Sequence, residues 1–345
     1  MEEANGGWVR TSGSIASRAV STAPPTGFTP RAALVEDAEG IAELVNEVNV
    51  SEVGVPWTTA DEIRTSLTAP GHEPDDDSVL VSDDDAFVGY MTAWRDELLT
   101  TIGLIVFVRP EFWGRGLSAW LLRSGEAMAR ERVAKLRSAS PVHLQVARWA
   151  TNELALPLFE ALGYGYVRTF HQMRIELEGR SEAPRVPEGI EIRTFDPDRD
   201  AQAVHAALSE AFQDHWGSGF DPFDVWHHDQ IDAAGPAFDP SLWFVALERG
   251  EVVGVACCRE RSTGSPDAAN VDELGVRRAW RGRGIARALL LTAFAEVRRR
   301  GIDAVELTVD SESLTGATRL YESVGMRQGP RSFERWEKLI DPPGA

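Results

Sequence analysis

Val271-Asp-Glu-Leu-Gly-Val-Arg-Arg-Ala-Trp-Arg281-Gly-Arg-Gly284-Ile-Ala286-Arg-Ala-Leu-Leu290 runs from a strand-like segment, through a loop of arginine and glycine, straight into a strong helix. Gly282 and Gly284 carry no side chain, so the backbone can approach a ligand closely. The free N–H groups of the helix's first turn then point at an anion in the field of the helix dipole. The expected ligand is a polyphosphate. Two common phosphate loops are excluded, because neither G-x-x-x-x-G-K-[ST] nor G-x-G-x-x-G followed by an acidic residue is present.

Arg281-Gly-Arg-Gly284-Ile-Ala286 fits [Q/R]-x-x-G-x-[G/A], and Leu274-Gly275-Val276 supplies the strand end before it. Further on, Val305 to Val309 alternates as a strand, and Thr315 to Val324 reads as a short helix closed by Gly325, in the pattern A-x-x-x-Y-E-x-x-G. Upstream, Leu242 to Leu247 and Val252 to Cys257 flank Arg249-Gly250 as a hairpin. Over about 190 to 340 this order of elements resembles the GNAT acyltransferase superfamily. The resemblance implies a mixed, mostly antiparallel sheet flanked by helices, of the α/β (α+β) class, with acetyl-CoA as co-substrate and no metal. It assigns the pyrophosphate and its surroundings to Leu274, Gly275, Val276, Arg281, Gly282, Arg283, Gly284, Ile285, Ala286 and Arg287.

A chain of 345 residues exceeds the ~250–300 at which one core usually stops growing, so two domains are expected. The sequence holds two copies of one module. Gly89 matches Gly254, Trp113-Gly-Arg-Gly116-Leu-Ser matches Arg281-Gly-Arg-Gly284-Ile-Ala, and Leu162-Gly163 matches Val324-Gly325. The expected organisation is two tandem GNAT-fold domains, at 28–178 and 189–345, joined by a breaker-rich linker at 179–188. Residues 1–27 lack hydrophobic periodicity and read as a disordered tail. The first copy keeps a vestigial cofactor loop in Val106, Val108, Gly114, Arg115 and Gly116. It has Trp113 for Arg281, Ser118 for Ala286 and Phe159 for Tyr321, and no acid in Ile102 to Val108. Catalysis is therefore expected in the second copy.

A formal charge of −19 argues against nucleic-acid binding. No apolar run has the length of a signal or of a membrane span, so a soluble cytoplasmic protein without a membrane partner is expected, as monomer or homodimer. Cys257 and Cys258 are adjacent and face opposite ways on a strand, and the seven histidines show no H-E-x-x-H spacing, so no metal is expected. Against this acidic background Arg277, Arg278, Arg281, Arg283 and Arg287 crowd one loop and suit the phosphates of CoA.

Attack of an amine on a thioester needs a neutral amine, a donor for the developing oxyanion and a proton for the leaving thiolate. The resemblance maps the oxyanion donor to the Val276 N–H and the acid to Tyr321, which the stripe Ala317, Leu320, Tyr321, Val324 would also bury. Many relatives place a glutamate where this chain has Asn270. Asp272 lies two residues along the same face and is the base expected here, whereas Glu273 faces the other way on a regular strand. Glu210, Asp214, Trp216 and Asn270 are candidate contacts for a cationic small-molecule amine. A non-catalytic acyl-CoA sensor is the alternative; it has no use for an acid and a base beside the thioester.

Overall fold

The computed structural model describes residues 23–342 except 70, 85, 96–99, 137–139, 180–181, 214, 217–219, 233–237, 263 and 314–315. Most of the expected N-terminal tail, residues 1–22, lies outside the described residues. The first half runs β1 (Thr29–Arg31), α1 (Ala38–Val53), α2 (Ala60–Leu67), α3 (Pro74–Asp77), β2 (Ser78–Asp83), β3 (Ala86–Arg95), β4 (Thr101–Val108), α4 (Leu117–Lys135), β5 (Val142–Trp149), α5 (Ala155–Ala161) and β6 (Gly165–Glu176). The second runs β7 (Ile190–Thr194), α6 (Pro197–Phe212), α7 (Phe223–His227), β8 (Phe244–Glu248), β9 (Glu251–Arg259), β10 (Ala268–Val276), α8 (Ile285–Arg299), β11 (Ala304–Asp310), α9 (Ala317–Ser323) and β12 (Arg327–Ile340).

Among the described residues the strands form one twelve-stranded sheet in the order β1-β2-β3-β4-β5-β12-β6-β11-β10-β9-β8-β7. Only β4–β5 and β10–β11 are parallel among the described residues. Chain order alone would put β6 on β5 and β12 on β11. Instead the last strands are exchanged. β12 pairs with β5 from Phe333–Trp149 to Ile340–Val142, and β6 pairs with β11 from Glu176–Ala304 to Phe170–Asp310.

The cores follow the exchange. Met173 and Ile175 of β6, with Leu177, are buried among α8 residues of the second half, and Trp336 and Ile340 of β12 are buried beneath α4 of the first. At ~1.5–3 kcal/mol for each large apolar side chain taken from water, every exchanged strand contributes several kcal/mol to the other half.

Each half packs helices on both faces of the sheet. α4 and α8 cover one side, with Leu117, Leu121, Ile285 and Leu289 fully buried. On the other side α1 meets Leu80 and Tyr90, while α6 and Trp226 of α7 meet Val255 and Cys257. Cys257 therefore faces α6 and Cys258 faces α8, and burial pushes both thiols up.

Candidate active site

The parallel pair β10–β11 is short. Ala268 to Asn270 pair with Ala304 to Glu306, and there the two strands part, while β10 stays on β9 as far as Val276–Gly254. The result is a wedge open towards the end of β10. Arg277 N–H donates to the Val253 carbonyl on the β9 side. Donors alternate along an antiparallel strand, so the N–H of Val276 turns into the wedge. Glu306 closes the narrow end. Its carboxylate is buried and takes bonds from Arg174 of β6, from Arg331 of β12, and from Ser262 and Ser265. The exchanged strands thus brace the wedge, and the sequence reading had no role for this cluster.

At the open end the loop turns as the sequence predicts. Gly282 and Gly284 have φ of 77° and 84°, and a Cβ at either would meet nothing within 4 Å. Both need glycine for conformation and leave empty space above the turn. Gly284 is the N-cap of α8 and offers no side chain, so the N–H groups of Ile285, Ala286 and Arg287 point out of the helix start.

The arginines are committed to protein contacts. Arg281 Nε donates to the Val276 carbonyl at 3.1 Å and Nη2 to the Ala211 carbonyl at 2.9 Å, which ties the turn to the strand end and to α6. Arg277 pairs with Glu210 at 2.7 Å and with Glu251, and lies over the Trp280 ring. Arg283 pairs with Glu248, and Arg287 with Glu182, between β6 and β7, both at 2.7 Å. Arg278 donates its N–H to Glu210.

The first half repeats this backbone closely. β4 and β5 pair only from Thr101–His143 to Leu104–Val146 and then part, which leaves Val106 and Val108 on the free edge. Gly114 and Gly116 have φ of 75° and 86°. Trp113 Nε1 donates to the Val108 carbonyl at 2.7 Å, so an indole N–H fills the place of the Arg281 Nε. Arg115 lies over Phe112 at 4.7 Å. Phe159, which stands for Tyr321, is packed against Tyr164 and Trp336 as core.

Tyr321 is 9 % exposed at the end of α9 and packs in the second core, as its helical stripe requires. Burial alone pushes its pKa up to about 12, so the hydroxyl keeps its proton.

The base candidates lie differently from the sequence expectation. A bulge at Asp272 leaves Val271 opposite Cys258 and Glu273 opposite Cys257, so β10 is not a regular strand there. Glu273 therefore turns to the same side of the sheet as Cys257, and the expectation that it faces away from Asp272 is corrected. Asp272 pairs with Arg259 at 2.5 Å and accepts from the Asn270 amide. Glu273 is shut in beside the Trp226 indole and the Cys257 thiol, yet its Oε2 ends without a hydrogen-bond partner. Burial pushes its pKa up to about 7; the charge of Asp272 adds to the rise, and Arg259 opposes it.

Of the acceptor candidates, Asn270 lies beside the wedge through its bond to Asp272. Glu210 is held by Arg277 and the Arg278 N–H, which lowers its pKa and gives it a partner other than a substrate amine. Trp216 sits over Arg168 of β6 at 5.6 Å, so its ring already faces a cation of the chain itself. Asp214 lies outside the described residues. Among the described residues no cluster of His, Cys, Asp and Glu could hold a metal, and no helix is long and apolar enough to cross a membrane.

A split parallel pair with an inward N–H, a glycine turn at a helix start and a buried tyrosine in the same half are the features of an acyltransferase. The model of the acetyltransferase (GNAT) family matches residues 41–164 and again 201–326. A mycothiol acetyltransferase of Thermobispora bispora is 34% identical over 263 residues, 75% of this chain and 80% of that one. The Streptomyces coelicolor mycothiol acetyltransferase is 27% identical over 84% of this chain and 88% of its own. A GCN5-related N-acetyltransferase from Sphaerobacter thermophilus has the same fold, with a TM-score of 0.76, 34% identity, and coverage of 93% of this chain and 98% of that one. A tandem GNAT protein from the clavulanic acid biosynthesis pathway shares the fold at a TM-score of 0.67 and 16% identity, over 90% of this chain and 98% of that one. The chain belongs to the GNAT family as a tandem N-acetyltransferase, similar in layout to mycothiol synthase.

Proposed function

We propose that the second half transfers an acetyl group from acetyl-CoA to the amine of a small molecule by direct attack. The observation that supports this reading is the wedge with its inward Val276 N–H next to the empty turn at Gly282 and Gly284, in the half whose core holds the protonated Tyr321. The turn and the first N–H groups of α8 hold the pyrophosphate. In the wedge, the Val276 N–H donates to the acetyl oxygen as charge develops on it. Tyr321 hands its proton to the departing thiolate, and the phenol is then restored from solvent.

The amine gives its proton to the Asp272–Glu273 pair. Asp272 is the base that the sequence selects, and Arg259 keeps it fixed. Glu273 is a second candidate, because a carboxyl with a pKa near 7 matches the working pH of a general base. The first half keeps the turn but has neither acid nor base, so it serves as scaffold and as wall of the acceptor cleft. The acidic surface and the paired carboxylates favour a cationic amine.

The test is release of free CoA from acetyl-CoA across a panel of primary amines, run with the wild type and Tyr321→Phe. Loss of the acid is expected to cost ~10²-fold or more in kcat with acetyl-CoA affinity unchanged. Acetyl-CoA binding without turnover of any amine would favour the sensor reading, and undiminished turnover by Tyr321→Phe would remove Tyr321 from the mechanism.

A further inference from the structure

The exchanged strand β12 brings a cation, Arg335, to the middle of the sheet with no anion to meet it among the described residues. Trp336 and Ile340 face the core beneath α4, so Phe333 and Arg335 point to the opposite side, where α1, α6 and α7 lie. Arg335 stands across from Ala147 on β5 and from Arg168 on β6. Most buried arginines of this acidic chain have a carboxylate: Arg132 has Asp77, Arg148 has Glu334, and Arg174 and Arg331 share Glu306. Arg335 has none among the described residues. Its neighbour is the Phe333 ring at 5.9 Å, its Nε is buried without a partner, and burial alone holds its pKa below the usual arginine value.

The adjoining Arg168 pairs through Nη1 with Asp310 at 2.6 Å and with Glu312 at 3.9 Å and lies under Trp216, while its Nε is also buried and unpartnered. Those carboxylates answer the charge of Arg168, which leaves Arg335 beside it as the guanidinium without an anion among the described residues. Next to them is a flat apolar surface, with Phe333 stacked on Phe170 at 4.9 Å and Trp149 edge-on to Phe333 at 6.2 Å. The sheet order β12-β6-β11-β10 places Arg335 two strands from β11, the near wall of the wedge, and three from β10, which carries Asp272 and Glu273. At ordinary spacing the latter is roughly 15 Å between strands, before the reach of the arginine side chain.

We propose that Arg335 and Arg168 bind an anionic group, a carboxylate or phosphate ester, on the acceptor whose amine enters the wedge at Asp272 and Glu273. The acceptor is then a zwitterion with an apolar spacer across the Phe170–Phe333 stack. For the position of the amine this rests on the acetyl-transfer reading; the anion site stands without it.

Two readouts separate the two claims. The first is binding of phenyl phosphate, against benzyl alcohol as uncharged control, followed by tryptophan fluorescence and calorimetry. The wild type is expected to bind phenyl phosphate at least tenfold more tightly than the alcohol, and Arg335→Gln to lose that margin, as loss of one charge-assisted bond implies. Arg335→Lys should keep part of it. The second is turnover of 4-(2-aminoethyl)benzoate against phenethylamine. The carboxylate-bearing amine is expected to show a KM at least tenfold lower, with the difference abolished in Arg335→Gln at constant kcat. Equal binding of the two aromatic probes by the wild type, or a margin that survives in Arg335→Gln, overturns the anion site. Phenyl phosphate binding that depends on Arg335, with neither amine acetylated, keeps the anion site and counts against the amine position instead.

Discussion

Replacing Glu273 by glutamine removes a buried carboxyl without changing its shape, and the consequence depends on pH with a definite sign. The carboxyl has a pKa of about 7 in the folded chain against an ordinary 4.5. Below both values it is protonated in the folded and unfolded states, so wild type and variant differ by little. As pH rises from 4.5 to 7 the unfolded carboxyl ionises while the folded one resists, and the wild type loses stability. Above 7 the cost levels off at about 3 kcal/mol, which the glutamine variant does not bear. Glu52 titrates over the same window because burial raises its pKa to about 7, but it is common to both proteins and cancels. Urea unfolding of both proteins at pH 4.5, 6 and 8.5 measures the difference. The variant should gain on the wild type by about 3 kcal/mol between the extremes, while kcat/KM loses its limb near pH 7 if Glu273 is the base. A stability difference that stays constant with pH would refute the burial argument itself.

Two other perturbations test the turn and the exchange. Gly284→Ala puts a Cβ on a residue at φ 84°, at a cost of about 1–2 kcal/mol, and fills the space above the turn. Acetyl-CoA affinity by calorimetry should fall about tenfold; unchanged affinity would place the phosphates elsewhere. Trp336→Ala should cost about 3–5 kcal/mol by opening a cavity against Phe159 and Tyr166. Hydrogen exchange should report the loss in α4 and β5 of the first half, not in α8, although residue 336 belongs to the second copy of the sequence. Loss of protection confined to α8 would refute the exchange.

The local features of the site were legible because each is set by neighbours in sequence: the glycine turn, the hairpin at Arg249-Gly250, and the burial of Tyr321 on its stripe. The bulge was also written in the chain. Val271, Leu274 and Val276 all pack on the α8 side, spaced three and then two residues apart, where a regular strand would keep a spacing of two throughout. That broken alternation is the signal that Asp272 and Glu273 share a side. The partners of the loop arginines were not legible for the opposite reason, since Glu182, Glu210, Glu248 and Glu251, scattered along the chain, converge on it only in three dimensions. The exchange of β6 and β12 left no local trace. The two copies are alike, so either last strand has the pattern to pair with β5 or with β11, and only the whole sheet decides.

The exchange also sets an order of events during synthesis. Val142 pairs with Ile340, so β5 waits for β12, the last of the described strands, and until that strand leaves the ribosome its edge stays open to pairing with the wrong partner. Contacts between residues so far apart in sequence slow folding. Although it is translated first, the first half is the last to close.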